Sequence, residues 1–158
     1  MKFGFVLAGV VVLAGNVAFV ATSQPAPPSP LAGDWRCNSS TQGVDGVILM
    51  SVANDGSARN RTLVNDQIEG RVVIIDIPYT SRFRLQGNEL IEDISSFDVS
   101  NGSIDGHQLT ESMKQVIREQ MMAGSVHYVV EEASASRLIY VDQTDRTFCE
   151  KTLTPLRL

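Results

Sequence analysis

Arg82-Phe83-Arg84-Leu85-Gln86-Gly87-Asn88-Glu89-Leu90 is the stretch whose reading decides the fold. Charged and apolar residues alternate with a period of two, so Phe83 and Leu85 share one face of a strand and Arg82 and Arg84 the other. Gln86-Gly87-Asn88 has the residues of a tight turn, and Leu90 opens the next strand. The same unit recurs in both directions. Upstream, Val72-Val73-Ile74-Ile75-Asp76-Ile77 is the densest β-branched run and is expected to stop at Pro78, which cannot donate to a ladder. Ser57 to Val64 places Arg59 and Arg61 on one face and Asn60 and Thr62 on the other. Val47 to Val52 ends at the turn Asn54-Asp55-Gly56. Downstream, Glu89 to Val99 reads as another strand or a bulged one, because its apolar set changes face between Leu90-Ile94 and Phe97-Val99. Val126 to Glu131, Arg137 to Asp142 and Thr147 to Leu153 read as three more strands, with Val126, Tyr128 and Val130 on one inward face.

One segment breaks this rhythm. Met113, Val116, Ile117 and Met121 recur at helical spacing, which predicts a helix over about 110–122. Thr110 is its N-cap, Glu111 suits the positive end of its dipole, and Gly124 is its stop. Met113 and Met121 are expected in the core, with Met122 offset toward solvent. The fold class is therefore mainly β: an antiparallel barrel or sandwich of seven to eight short strands, with one helix inserted before the last three.

The chain outside this region has a different character. Its 158 residues are 43% hydrophobic and 20% charged, with a formal net charge of −5. Such a balance gains little from counterion release, which argues against a nucleic-acid partner. After Lys2, residues 3–21 are interrupted by one polar residue, Asn16. Residues 1–23 read as a signal peptide or as an uncleaved signal anchor, and both place the rest of the chain in the periplasm or outside the cell. An uncleaved segment would tether it to the inner membrane. Residues 24–30 carry Pro25, Pro27, Pro28 and Pro30 and form a proline-rich linker, either a spacer or a tail without a role. The domain is assigned to residues 31–158. Export changes the meaning of Cys37 and Cys149, which are expected to form a disulfide closing a loop of more than a hundred residues, against the alternative of two buried thiols. If they lie on the first and last strands, their bond joins the two ends of the sheet, as barrel closure requires.

Gly33-x-Trp35-x-Cys37 at the first strand resembles the Gly-x-Trp opening of lipocalin-like (calycin) proteins. The turns at Asn54-Asp55-Gly56 and Gly87-Asn88 and the late cysteine are similar to those of small secreted bacterial members of that group. The resemblance implies a closed up-and-down barrel with Trp35 packed across its closed end. Two departures stand beside it. The helix precedes the last three strands instead of following them, and Tyr140-Val141-Asp142 stands where the family's later motif would fall.

Residues that could carry chemistry are few. His107, in a turn, and His127, on an outward strand face, are the whole histidine supply and form no triad and no zinc set. No cofactor motif is present. Glu92-Asp93 and Glu131-Glu132 are acidic pairs whose members should point to opposite faces, so that they could not act together on one substrate without a bulge, and are expected to be solvated. Arg59, Arg61, Arg82 and Arg84 share one outer surface if their strands are neighbours, either as a partner surface or as edge protection by charge. Asn38, Asn60 and Asn101 head glycosylation sequons, relevant only to a eukaryotic secretory route. The expected function is a non-enzymatic exported domain that binds a protein or other macromolecular partner in the cell envelope. The alternative is a carrier of a small hydrophobic ligand, its cavity lined by Trp35, Phe83, Leu85, Tyr128 and Tyr140.

Overall fold

A computed structural model describes residues 29–41, 44–121, 125–143 and 145–158. The proposed signal segment and most of the proline-rich linker, together with Met122 and Gly124, lie outside these residues. Among the described residues no helix is long and apolar enough to cross a membrane.

Ten strands and one helix follow in order: β1 Gly33–Thr41, β2 Val44–Val52, β3 Ser57–Ile68, β4 Arg71–Gln86, β5 Glu89–Phe97, β6 Asn101–Ile104, β7 His107–Gln108, α1 Glu111–Met121, β8 Ser125–Ala133, β9 Arg137–Asp142 and β10 Asp145–Lys151. All pairings are antiparallel. The strands run β3-β2-β1-β10-β9-β8-β5-β4, and β3 also pairs with β4, so the sheet closes on itself as an eight-stranded barrel. Each barrel strand neighbours the next one along the chain, and β10 returns to β1. This up-and-down order is lipocalin-like in form and removes the exposed edges that an open sheet would leave. The short β6–β7 hairpin and α1 are an insertion between β5 and β8.

The expected disulfide lies on the closing seam. Cys37 on β1 faces Cys149 on β10 in register, with the Cα atoms 3.9 Å apart. Both side chains point inward and are buried.

Three expectations about the strands are corrected. The run ending at Pro78 and the run Arg82–Leu85 are one strand, the 16-residue β4. Proline is tolerated there because its polar side faces a break in the neighbouring strand. β5 pairs with β4 up to Phe97 opposite Tyr79, and β6 resumes at Asn101 opposite Asp76, so Pro78 owes no N–H to a ladder. Its carbonyl accepts from Asp98 N–H at 2.9 Å. β3 extends to Ile68, past the expected Val64, because Glu69-Gly70 forms a two-residue hairpin turn with both residues at positive φ (51° and 78°). The last strand ends at Lys151, short of Leu153, and the side chain of Leu153 is exposed. Of the two forms open for the Glu89–Val99 stretch, the bulged one is present, with the β4–β5 register shifting between Thr80 and Ser81.

The core divides in two. The main cluster joins Leu31, Trp35, Cys37, Met50, Val52, Ala58, Phe83, Leu90, Leu138, Tyr140 and Cys149 inside the barrel. Trp35 is sealed at one end, donating from Nε1 to the Leu31 carbonyl at 2.7 Å. Ser29 and Pro30, read as the end of the linker, belong to this closed end, since Ser29 N–H donates to the Asn54 carbonyl at 2.7 Å. A second cluster, Ile77, Val99 and Leu109, forms where β4 runs beyond the main core, and Ile117 of α1 packs on it. Thr110 caps the helix, accepting from Met113 N–H at 3.3 Å. The expected apolar stripe of α1 is only partly used. Met113 and Val116 are exposed, and Ile117 is the stripe residue packed on the cluster. Met113 is thus not a core residue, and the side chain of Met121, the other methionine expected in the core, lies outside what the structure describes.

Candidate functional site

Strand alternation sorts the polar residues into an interior group and an outer group. Inside, Glu92 occupies the inward face of β5 between Leu90 and Ile94, paired with Phe83 on β4 and Val126 on β8. It is 4% exposed. This overturns the expectation that Glu92 and Asp93 are both solvated. Asp93 faces outward and pairs with Arg84 at 2.8 Å, while Glu92 faces the core. Tyr128 donates its hydroxyl to Glu92 Oε2 at 3.2 Å. Burial holds the Glu92 carboxyl above its ordinary range, against the hydroxyls of Ser81, Tyr128 and Tyr79, which pull it down. Asn60, also inward and 2% exposed, donates from Nδ2 to Ser81 Oγ at 2.8 Å. Two buried acceptors in this group, Glu92 Oε1 and Asn60 Oδ1, have no hydrogen-bond partner. Around them stand Tyr79, Tyr128 and Tyr140, with the Tyr128 and Tyr140 ring centroids 4.8 Å apart. Burial is the largest cause raising each of these phenols, so all three stay protonated.

The five residues expected to line a cavity all take part in the barrel core. Trp35, Phe83 and Tyr140 are buried within it, and Leu85 and Tyr128 pack against it. Reasoning from sequence missed Glu92 and Asn60. The signal was present in both cases. Leu90-x-Glu92-x-Ile94 puts the acid on the apolar face, and Asn60 alternates with outward Arg59 and Arg61. Burial also removes Asn60 from the accessible sequons, while Asn38 and Asn101 remain exposed.

Outside, β3 and β4 are neighbours, and all four arginines lie on their outward face. Three have acidic partners. Arg61 grips Asp76 through Nε at 2.7 Å and Nη2 at 2.6 Å, Arg84 meets Asp93, and Arg82 lies 3.5 Å from Asp55. Among the described residues, Arg59 takes part in no ion pair. It lies where two depressions meet. One, of about 730 Å³, crosses β2 to β5 and includes Ser51, Ser57, Thr80, Arg82 and Ser95. The other, of about 320 Å³, includes Pro78, Thr80, Ser96, Phe97 and Leu158. The bulge at Thr80/Ser81 lets adjacent Ser95 and Ser96 both reach Thr80 Oγ1, at 2.8 and 2.6 Å, so the groove floor is rich in hydroxyls.

A second bulge, between Val130 and Glu132 on β8, turns Glu131 and Glu132 away from the simple alternation. Each meets an arginine, Glu131 with Arg146 at 2.6 Å and Glu132 with Arg137 at 3.4 Å. His127 is outward as expected and pairs with Glu89 at 2.7 Å, and His107 is exposed on β7.

No family model matches the chain, and no curated protein matches it. Among solved structures the chain is similar to a lipocalin-like protein from Bacteroides uniformis. The identity is 17%, the match covers 78% of this chain and 100% of that one, and the TM-score is 0.47.

Proposed function

We propose that this chain is a non-enzymatic, exported binding domain that engages a macromolecular partner of the cell envelope through the outer face of β3 and β4. The observation that carries this reading is Arg59. Of four arginines on one face, it alone has no acidic partner among the described residues, and it sits at the junction of two depressions whose linings carry the hydroxyls of Ser51, Ser57, Thr80, Ser95 and Ser96 together with Asp93 and Asp98. A guanidinium left unpaired among hydroxyls offers a fork to a carboxylate or phosphate, with neighbours that hydrogen-bond either. Edge protection, the competing reading of the stripe, loses its basis in a closed barrel, since β3 and β4 are paired on both sides for most of their length. The disulfide at the seam fits an oxidising compartment.

The test is charge reversal. Arg59→Glu should abolish co-sedimentation of the domain with isolated envelope fractions. Arg146→Glu, on β10 away from the groove, should leave it intact. Equal retention of both variants would remove Arg59 from the binding surface.

A further inference from the structure

Of the two depressions that meet at Arg59, the smaller takes part of its wall from outside the barrel strands. Pro78 and Thr80 on β4 and Ser96 on β5 line it, and so does Leu158, carried by the tail that follows β10. Asp34 fastens that tail twice. Its carbonyl accepts from Thr152 N–H at 2.8 Å, and its Oδ2 accepts from Leu156 N–H at 3.1 Å. Register explains the route. Asp34 on β1 stands opposite Ser51 on β2, Ser51 opposite Arg59 on β3, and Arg59 opposite Thr80 on β4. These residues make one row on the outer face, with neighbouring strands about 5 Å apart. A tail pinned at the β1 end of the row therefore brings Leu158, two residues past the second bond, down beside Arg59. Leu153 stands in solvent, while Leu156 and Leu158 are half-buried, so the far part of the tail is the part that packs on the face. The depression exposes mostly apolar surface, with Arg59 at its edge. An apolar seat beside one unpaired guanidinium suits a group that is apolar and anionic at adjacent points.

Resting on the reading of Arg59 given above, we propose that the partner presents an extended peptide in which a large aliphatic residue adjoins an acidic one. The aliphatic side chain seats between Pro78 and Leu158, and the carboxylate takes the Arg59 guanidinium. The larger depression, which continues from the same arginine across β2 to β5, gives the flanking peptide residues room and hydroxyl partners. Asp34 is a positioning residue, because it holds the tail that carries Leu158. Charge favours a peptide over an anionic bilayer. The unpaired guanidinium stands between Asp93 of the larger depression and Asp98 of the smaller, and the chain has a formal net charge of −5. A surface dense in phosphates is repelled by such a face, whereas a single carboxylate can reach the one free cation.

The experiment is fluorescence anisotropy of the full chain with labelled hexapeptides of glycine and serine that differ in their central pair. The pairs are leucine–aspartate, alanine–aspartate, leucine–asparagine and alanine–asparagine. The leucine–aspartate peptide should bind saturably, and each single replacement should weaken it about fivefold or more. Arg59→Gln should erase the preference for aspartate over asparagine. Leu158→Ser should erase the preference for leucine over alanine and keep the preference for aspartate. Leu153→Ser, on the exposed part of the same tail, should change neither. Melting curves confirm that the variants are folded. Absence of saturable binding by the leucine–aspartate peptide would overturn the proposal, as would a leucine preference that survives Leu158→Ser. Tighter binding of every peptide by Leu158→Ser would make the tail a plug of the groove and overturn it equally. Binding to phosphatidylglycerol vesicles, with none to the peptides, would put a bilayer in the peptide's place. The two readings fail separately. Co-sedimentation that depends on Arg59, without a leucine preference here, removes the apolar seat and leaves Arg59 as a partner contact.

Discussion

Glu92 makes the wild-type protein sensitive to pH in a direction opposite to that of its surface acids. Its carboxyl titrates above the ordinary value of 4.5, so the folded state keeps a proton that the unfolded chain releases. The stability this provides is present below pH 4.5 and is lost as pH rises through the folded value. Asp76, Asp93 and Asp105, each lowered by hydrogen bonds and an arginine, act the other way and lose their contribution as pH falls below 3.8. Comparison with Glu92→Gln cancels the surface acids. The melting temperature of the variant should gain on wild type as pH rises from 4.5 through the folded value of the carboxyl. A constant difference across that range would show that Glu92 does not titrate from a buried position. On the outer face, Arg61 and Asp76 are about a third and a quarter exposed, so their bidentate pair contributes little. Asp76→Asn should cost no more than about 1 kcal/mol in denaturant unfolding.

The elements show where sequence patterns suffice and where they fail. β9 spans Arg137–Asp142 as the alternation requires, because β10 pairs with it in regular register over these residues and the bulge on its other side falls in β8. The break assumed at Pro78 was misplaced because a proline signals only that an N–H is missing. Whether that matters depends on the strand beside it, here interrupted at Asp98–Ser100, and that is a tertiary fact. The helix shows the same limit. Its apolar spacing fixes its type and position, but how much of the stripe is buried depends on the patch it meets, and that patch is small. A helix that packs on so small a cluster should open locally. Thr110→Ala should lower hydrogen-exchange protection across 111–121 by roughly the 1 kcal/mol of a lost cap, without moving the global melt. A matching fall in global stability would mean that α1 is integral to the barrel.

For the whole molecule, the decisive feature is closure between the first and last strands. Strand rhythm left a barrel or a sandwich open, and the cysteine pair with Gly33-x-Trp35 favoured the barrel that the structure shows. The function was less legible. An arginine groove lies outside on β3 and β4, a buried acid and aromatic rings lie inside on β4, β5, β8 and β9, and single residues along an alternating strand do not say which face is core. Cross-linking positions 112 apart removes much of the unfolded chain's freedom, by about 4–5 kcal/mol in the chain-entropy model. Cys149→Ser, or reduction of wild type, should therefore lower the melting temperature by roughly 10 °C or more. An unchanged melt would mean that strand pairing alone holds the seam.

The most direct test of the binding role is a footprint on the folded protein in its native envelope. A photo-crosslinking residue placed at Thr80, in the hydroxyl-lined groove beside Arg59, should give discrete adducts. The same residue at Val129, exposed on β8 away from the groove, should give none. Adducts from position 129 but not from position 80 would contradict the account, because they would place the partner on β8 and not in the groove beside Arg59.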